Sequence, residues 1–127
     1  MKKVLVCGDR NWTNGSLIYG WLSKAKERGY GTVIEGEARG ADSLARNIAK
    51  ELEMEVLPFP ADWEKFHKAA GPIRNKQMLD EGKPDLVLAF HDNIDISKGT
   101  RDMINQAKRA GIKVILINSK NRIIKLR

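Results

Sequence analysis

The sequence predicts an α/β fold: a single domain built around a five-stranded, mainly parallel sheet with helices on both faces. Three observations lead to this prediction. The chain has 127 residues, which suffices for one domain with one modest core. Short apolar runs rich in β-branched residues alternate with longer segments of helical periodicity. Most of these runs are apolar on both alternating faces, which is typical of strands that helices cover from both sides.

Each element follows from its own pattern. The five strands are predicted at residues 4–7, 32–34, 55–59, 86–90 and 114–117. Three helices are predicted from apolar residues spaced three and four apart, at residues 18–25 (ending at Gly29), 41–52 and 103–110 (ending at Gly111). Another is predicted at 72–82, because Pro72 suits a first turn and Gly82 and Pro84 end the helix. Strands that alternate with helices in this way form right-handed βαβ units. Such a Rossmann-like sheet binds ligands where the loops leave the carboxyl ends of its strands.

One connection is unusual. Residues 60–71 contain proline, tryptophan, histidine and paired alanines without a clear periodicity. The segment is longer than the loops that commonly join a strand to a helix. We therefore interpret it as a functional loop.

The charge of the chain is unevenly distributed. The formal net charge is +7, yet residues 1–102 hold as many Lys and Arg as Asp and Glu, 16 of each. The excess therefore lies in the last part of the chain, and we divide the sequence into a domain at 1–118 and a basic tail at 119–127. A basic arm that contacts nucleic acid weakly is one interpretation. A solvated helix face and tail is the other. The basic residues concerned are Lys108, Arg109, Lys113, Lys120, Arg122, Lys125 and Arg127.

The N-terminus and the cysteine content bear on localisation. The apolar run after Met-Lys-Lys is far too short for a signal peptide core or a membrane span. The single Cys7 cannot form an internal disulfide, which fits a reducing compartment. We expect a cytoplasmic protein without membrane contact.

The sequence lacks the motifs of two common nucleotide-using classes. No Gly-x-Gly-x-x-Gly follows the first strand, and the chain has no Walker lysine motif. These absences argue against a NAD-dependent dehydrogenase and a P-loop NTPase. Cys7 and the two histidines, His67 and His91, give no metal-ligand spacing. We expect neither a metal nor a cofactor.

Two glycine-containing loops follow the first two predicted strands, and both carry charge. Glycine lets the backbone approach a ligand, and the next helix offers free N–H groups with the positive end of its dipole. The arginines could bind phosphate, and the aspartates could accept ribose hydroxyls or cap a helix. The alternative is a pair of generic turns with surface ion pairs. The residues are Gly8, Asp9 and Arg10 after the first strand, and Gly36, Arg39, Gly40 and Asp42 after the second.

Two tryptophans lie on loops next to this edge of the sheet. Trp12 follows the first glycine loop, and Trp63 lies in the long connection at 60–71. A nucleobase could stack on either ring, or either ring could close the core beneath its loop. The sequence leaves both interpretations open.

Five motifs in order resemble one protein family. They read GDRNW at 8–12, ARGAD at 38–42, FPADW at 59–63, AGPIRNKQM at 70–78 and KGTRDM at 98–103. From about Lys3 to Ile117 the chain resembles the YspA-type, cpYpsA-related branch of the SLOG superfamily. That superfamily also contains the LOG nucleotide phosphoribohydrolases and the DprA-type proteins. The resemblance implies a Rossmann-like sheet that binds nucleotides or molecules derived from them.

The resemblance also implies roles for individual residues. LOG enzymes carry an Arg-Lys-x-x-Met helix with a catalytic arginine, which Arg74 and Met78 match, with Asn75 at the lysine position. Their Gly-Gly-x-Gly-Thr-x-x-Glu loop holds phosphate and supplies a glutamate. The residues that match or replace it are Lys98, Gly99 and Thr100, with Met103 at the glutamate position and Asp102 as the nearest carboxylate. This departure argues against hydrolysis and leaves phosphate binding intact.

Three functions follow as hypotheses. The first is a protein that binds a mononucleotide or an ADP-ribose-like compound, as a sensor or sequestering protein, in a pocket formed by loops from Gly8, Gly36, Gly71 and Lys98. Phosphate would lie on Gly99-Thr100 and on Arg74. The second is a LOG-type N-glycosidase with Arg74 and Asp102 as catalytic residues. The third is a DprA-like nucleic-acid binder that uses the basic C-terminus. Related domains often dimerise, so the resemblance also suggests a homodimer.

Overall fold

The computed structural model describes residues 1–126, which form a six-stranded sheet in the order β3-β2-β1-β4-β5-β6. Strands β1 to β5 are parallel, and β6 is antiparallel to β5. The strands are β1 (Lys2–Gly8), β2 (Tyr30–Glu35), β3 (Glu55–Pro58), β4 (Leu86–Phe90), β5 (Lys113–Ile117) and β6 (Ile123–Ile124); the α-helices are α1 (Gly15–Glu27), α2 (Ala41–Glu51), α3 (Trp63–Phe66), α4 (Ala70–Gln77) and α5 (Lys98–Arg109). The predicted α/β fold with a mainly parallel sheet is confirmed.

The core lies on both faces of the sheet because successive side chains of a strand point in opposite directions. In β1, Val4 and Val6 pack with apolar residues of α1 and α2. Leu5 packs on the other face with residues of α5 and of the segment that follows α4. The helices therefore cover both faces, as the apolar strands predicted.

The sheet has one strand more than predicted. β6 pairs Ile123 with Ile117 and Ile124 with Leu116 at the edge of the sheet. A strand of two residues is too short to show an alternating pattern, and basic residues surround it. β6 lies within the segment expected as a basic tail, and Leu126 packs against the second face of the core. Arg127 lies outside the described residues.

The segment at 60–71 is helical in part, where the sequence predicted an irregular loop. Asp62 caps α3 by accepting a hydrogen bond from the backbone N–H of Lys65 at 3.1 Å. A 3-10 turn follows at His67–Ala69, and α4 begins at Ala70, ahead of the predicted start at Pro72. A helix of four residues completes barely one turn, so it leaves no periodicity in the sequence.

Across residues 1–126, no helix combines the length and the apolar character that crossing a membrane requires.

Candidate nucleotide-binding cleft

The carboxyl ends of β1, β2 and β3 border a cleft of about 450 Å³, which we call the arginine cleft. Its walls are the loop at 36–39, the start of the connection after β3, and the side chains of Arg10, Arg39, Trp63 and Arg74. These four residues come from four separate segments of the sequence. With Gly36, they are five of the fifteen residues that the sequence predicted for ligand binding.

Close backbone packing determines where the cleft opens. The Asp9 N–H donates to the Phe90 carbonyl at 2.9 Å, and the Asp9 carbonyl accepts from Ala41 at 3.1 Å. A Cβ at Gly8 would overlap the Phe90 carbonyl, and one at Gly40, where φ is +76°, would overlap the backbone of Asp9 and Arg10. Both glycines are therefore needed for packing. The loop after β1 is thus held against β4 and the start of α2, and the cleft lies beside it, towards β2 and β3.

Arg74 reaches the cleft from α4. Its Nη1 donates to the Gly36 carbonyl at 2.5 Å, and its Nε donates to Oδ1 of Asn75 at 3.1 Å. Burial lowers the pKa of Arg74, and the nearby Asp42 carboxylate opposes that shift. An arginine remains protonated at neutral pH even so. The cleft wall thus holds a partly buried cation.

Asp42, in the first turn of α2, orders the loop before that helix. The side chain is buried, and its Oδ2 accepts from the Ala38 N–H at 3.3 Å. Burial raises the pKa of Asp42 to about 6, against the opposing effects of Arg74 and the loop N–H groups. The sequence left two roles open for Asp42: an acceptor for ribose hydroxyls or a helix cap. In the structure the side chain accepts from a backbone N–H of the preceding loop, which is closer to the capping role.

The two loop tryptophans occupy different environments. Trp63 is 48% exposed, and the Arg10 guanidinium lies 5.6 Å from the centre of its ring. Trp12 is only 6% exposed, and its ring packs against Phe90 at a centroid distance of 5.7 Å. Trp12 therefore packs in the core, which is one of the two roles that the sequence left open for it, and it does not line the cleft.

The start of α5 does not line the arginine cleft. Thr100 is buried, and its N–H donates to the capping Ser97 Oγ at 3.2 Å. The Asn75 amide donates to the Gly99 carbonyl at 3.3 Å, which holds this turn against α4. Lys98 and Gly99 are exposed beside it. Gly71 lies buried within α4, close beneath Trp63. The expected phosphate position at Gly99-Thr100 is thus separate from the cleft.

Neither of the two positions that bear on hydrolysis lines the arginine cleft. Met103, at the glutamate position of the LOG motif, is fully buried in the core. The Oδ2 of Asp102 accepts from the amides of Asn75 at 3.0 Å and Gln106 at 2.8 Å. The carboxylate of Asp102 therefore joins α4 to α5.

Sequence reasoning missed two glutamates beside Gly36. Glu35 is fully buried; its Oε1 accepts from the Glu37 N–H at 2.7 Å, and within residues 1–126 its Oε2 has no hydrogen-bond partner. Burial, together with the carboxylates of Glu37 and Asp42, raises the pKa of Glu35 to about 8. Glu37 lines the cleft. The signal available in the sequence was an acid-Gly-acid triplet at the carboxyl end of the second strand.

Among the described residues, no group of three or more His, Cys, Asp or Glu side chains is arranged to hold a metal ion.

Comparisons with known proteins identify the family of the chain. A model of the YspA, cpYpsA-related SLOG family (YAcAr) matches residues 2–66. The Gene 61 protein of Mycobacterium phage D29 is 38% identical over 127 residues, a match that covers 94% of this chain and 99% of that protein.

A solved structure shows the same fold. DNA processing protein A (DprA) from Streptococcus pneumoniae superposes with a TM-score of 0.72 at 17% identity, over 92% of this chain and 50% of DprA. The chain thus spans half the length of that protein. Together with the family match and the phage relative, this confirms the resemblance that the five sequence motifs indicated. The chain belongs to the YspA, cpYpsA-related SLOG family.

Proposed function

We propose that this protein binds a nucleotide or a nucleotide-derived ligand, such as a mononucleotide or an ADP-ribose-like compound, in the arginine cleft, and acts as a sensor or sequestering protein. The observation that carries the proposal is the arrangement of three arginines and a half-exposed tryptophan around one opening at the strand ends. Arginine binds phosphate through paired, charge-assisted hydrogen bonds. The face of Trp63 offers a stacking surface for a base.

The size of the cleft suits such a ligand. Pockets for small molecules commonly measure about 300–1,000 Å³, and the cleft has about 450 Å³. Arg10 lies over one face of the Trp63 ring, so a base would stack on the other face or take the place of the Arg10 guanidinium. Arg74 is held by a backbone carbonyl and needs little reordering to meet a phosphate. A pre-positioned cation loses less side-chain entropy on binding.

Binding is favoured over N-glycosidic hydrolysis. Hydrolysis of that bond requires a carboxylate near the sugar and a positioned water. Neither position that the LOG motif offers supplies that carboxylate: Met103 is buried and has no acidic group, and Oδ2 of Asp102 accepts hydrogen bonds from two amides that join α4 to α5. The single, buried Cys7 is compatible with the reducing cytoplasm as the place of action.

A thermal-shift panel of nucleoside monophosphates, nucleoside diphosphates and ADP-ribose tests the proposal. A ligand present at 100 times its dissociation constant stabilises the folded state by about 2.7 kcal/mol. We expect at least one phosphorylated compound to raise the melting temperature of the wild type. The Arg28→Ala variant should respond to the panel as the wild type does, because this exposed arginine lies at the opposite end of the sheet, just before β2. A flat response to every compound would contradict the proposal.

Nucleic-acid binding is a second candidate, favoured by the basic residues around β6. Lys120, Arg122 and Lys125 are exposed there, and the structural neighbour DprA is a DNA processing protein. Binding of this kind weakens steeply as salt increases, because each neutralised phosphate releases counterions. Oligonucleotide affinity measured between about 50 and 200 mM salt tests it, and undetectable binding at the low salt concentration would exclude this candidate.

A further inference from the structure

A second hollow adjoins the arginine cleft. It measures about 590 Å³ and carries Arg46 and Lys50 on the side of α2. The two hollows share Glu37 and Pro60 as lining residues. Glu37 therefore stands on the ridge between two groups of basic side chains, where it is the acidic residue common to both hollows.

Glu37 is fixed in an unusual backbone conformation. Its φ is +58°, in the left-handed region that residues other than glycine rarely adopt. The backbone N–H is held by the buried Glu35 carboxyl at 2.7 Å. Such conformations persist where the surroundings determine them, and they are frequent at ligand sites. The observed conformation thus places the Glu37 side chain on the ridge.

The carboxylate of Glu37 is ionised and remains accessible. Arg46 donates to its Oε2 at 3.0 Å, and 28% of the side chain is exposed. The neighbouring Glu35 carboxyl and Arg46 both lower the pKa of Glu37. A carboxylate repels phosphate and accepts hydroxyl donors, whereas the arginines and lysine on either side attract phosphate. The ridge therefore suits an uncharged hydroxyl-bearing part of a ligand whose anionic groups lie beside it.

We propose that Glu37 recognises ribose: its carboxylate accepts hydrogen bonds from the 2′- and 3′-hydroxyls of a ribonucleotide whose phosphates lie on the flanking basic side chains. The inference rests on the proposed function, and it specifies ribonucleotides over deoxyribonucleotides. An acidic residue near the end of the second strand has this role in dinucleotide-binding Rossmann folds. Glu37 lies two residues beyond the end of β2. With its 2′- and 3′-hydroxyls on Glu37, such a ribose would direct its 5′-phosphates to the basic side chains of one of the two adjoining hollows.

The test compares the four common ribonucleoside 5′-diphosphates with their 2′-deoxy counterparts by calorimetric titration. For the wild type we expect at least one ribonucleotide to bind about tenfold or more tightly than its deoxy counterpart, the scale of a hydrogen bond to a charged group. Glu37→Gly should remove this preference, and glycine suits the backbone at φ +58°. Glu37→Gln, which keeps one oxygen acceptor, should retain part of it.

The control variant is Glu53→Gly. Glu53 is exposed and also has a φ of +58°, but it follows α2 away from both hollows. It should keep the full preference for ribonucleotides. Equal affinity of the wild type for ribonucleotides and deoxyribonucleotides would overturn the inference and leave the proposed function standing. A preference that survives in Glu37→Gly would overturn it as well. If no nucleotide binds to the wild type, both proposals fail.

Discussion

Replacing Gly36 by alanine tests whether the position of the Arg74 guanidinium determines phosphate binding. A Cβ at residue 36 would overlap Nη1 and Cζ of Arg74 and press on Oδ2 of Asp42. The guanidinium is the far end of a flexible side chain and can move, so the free energy of unfolding should fall by only about 1 kcal/mol, the lower end for an overpacked site. Arg74 would lose its bond to the Gly36 carbonyl and its place in the cleft. A charge-assisted contact contributes about 1.5–3 kcal/mol, so phosphate-bearing ligands should bind roughly 10- to 150-fold more weakly.

The assay is calorimetric titration with the best-binding nucleotide of the panel, combined with urea unfolding. Gly20→Ala provides the control, because a Cβ there has no heavy atom within 4 Å. This glycine lies in the middle of α1, and alanine should raise the free energy of unfolding by about 0.5–1 kcal/mol without changing affinity. Unchanged nucleotide affinity in Gly36→Ala would refute the reasoning, since Arg74 would then not need its observed position.

Two further predictions concern buried groups. The folded-state pKa of Glu35 is about 8 and its ordinary value is 4.5, so the wild type should lose stability as the pH rises between these values, because only the unfolded chain then ionises freely. Glu35→Gln should remove this loss. At about pH 9 the variant should be more stable than the wild type by a few kcal/mol, since one pKa unit corresponds to about 1.4 kcal/mol. Urea unfolding of both proteins at about pH 4 and 9 measures the difference, and the same pH dependence in both would contradict the prediction. Chromatography should detect no conversion of AMP to adenine by the wild type. Met103→Glu should destabilise the core, because it buries an acidic group there, and this variant should not convert AMP either. Robust release of adenine by the wild type would make the protein an enzyme.

The fold could be predicted because burial on both faces leaves a clear mark on a strand. Residues 86–90 are apolar throughout and form β4, whose final four residues are buried. β6 left no such mark, since Ile123 and Ile124 gain their strand character only by pairing with β5. The short helix α3 likewise depends on a single cap at Asp62 and has no face that repeats along the sequence.

The site could be predicted in part. Arg10, Arg39 and Arg74 gather at one opening because parallel strands release their loops at the same edge of the sheet. Lys98 and Gly99 do not line that opening. The hydrogen bond from Asn75 to the Gly99 carbonyl holds their turn against α4, and this tertiary contact has no local signal in the sequence. Glu35 and Glu37 were missed for a physical reason. The alternating pattern of a strand shows which face of the sheet a residue occupies, but it does not show whether a buried carboxyl group has hydrogen-bond partners.

The most direct test of the central claim compares one nucleoside monophosphate with its unphosphorylated nucleoside, each titrated into the wild type, Arg74→Ala and Arg28→Ala. Circular dichroism first establishes that all three proteins are folded. We predict that Arg74→Ala weakens binding of the monophosphate by about 1.5–3 kcal/mol and changes binding of the nucleoside much less, while Arg28→Ala changes neither. Equal losses for both ligands, or no binding of any monophosphate by the wild type, would contradict the claim that the arginine cleft binds phosphorylated nucleosides.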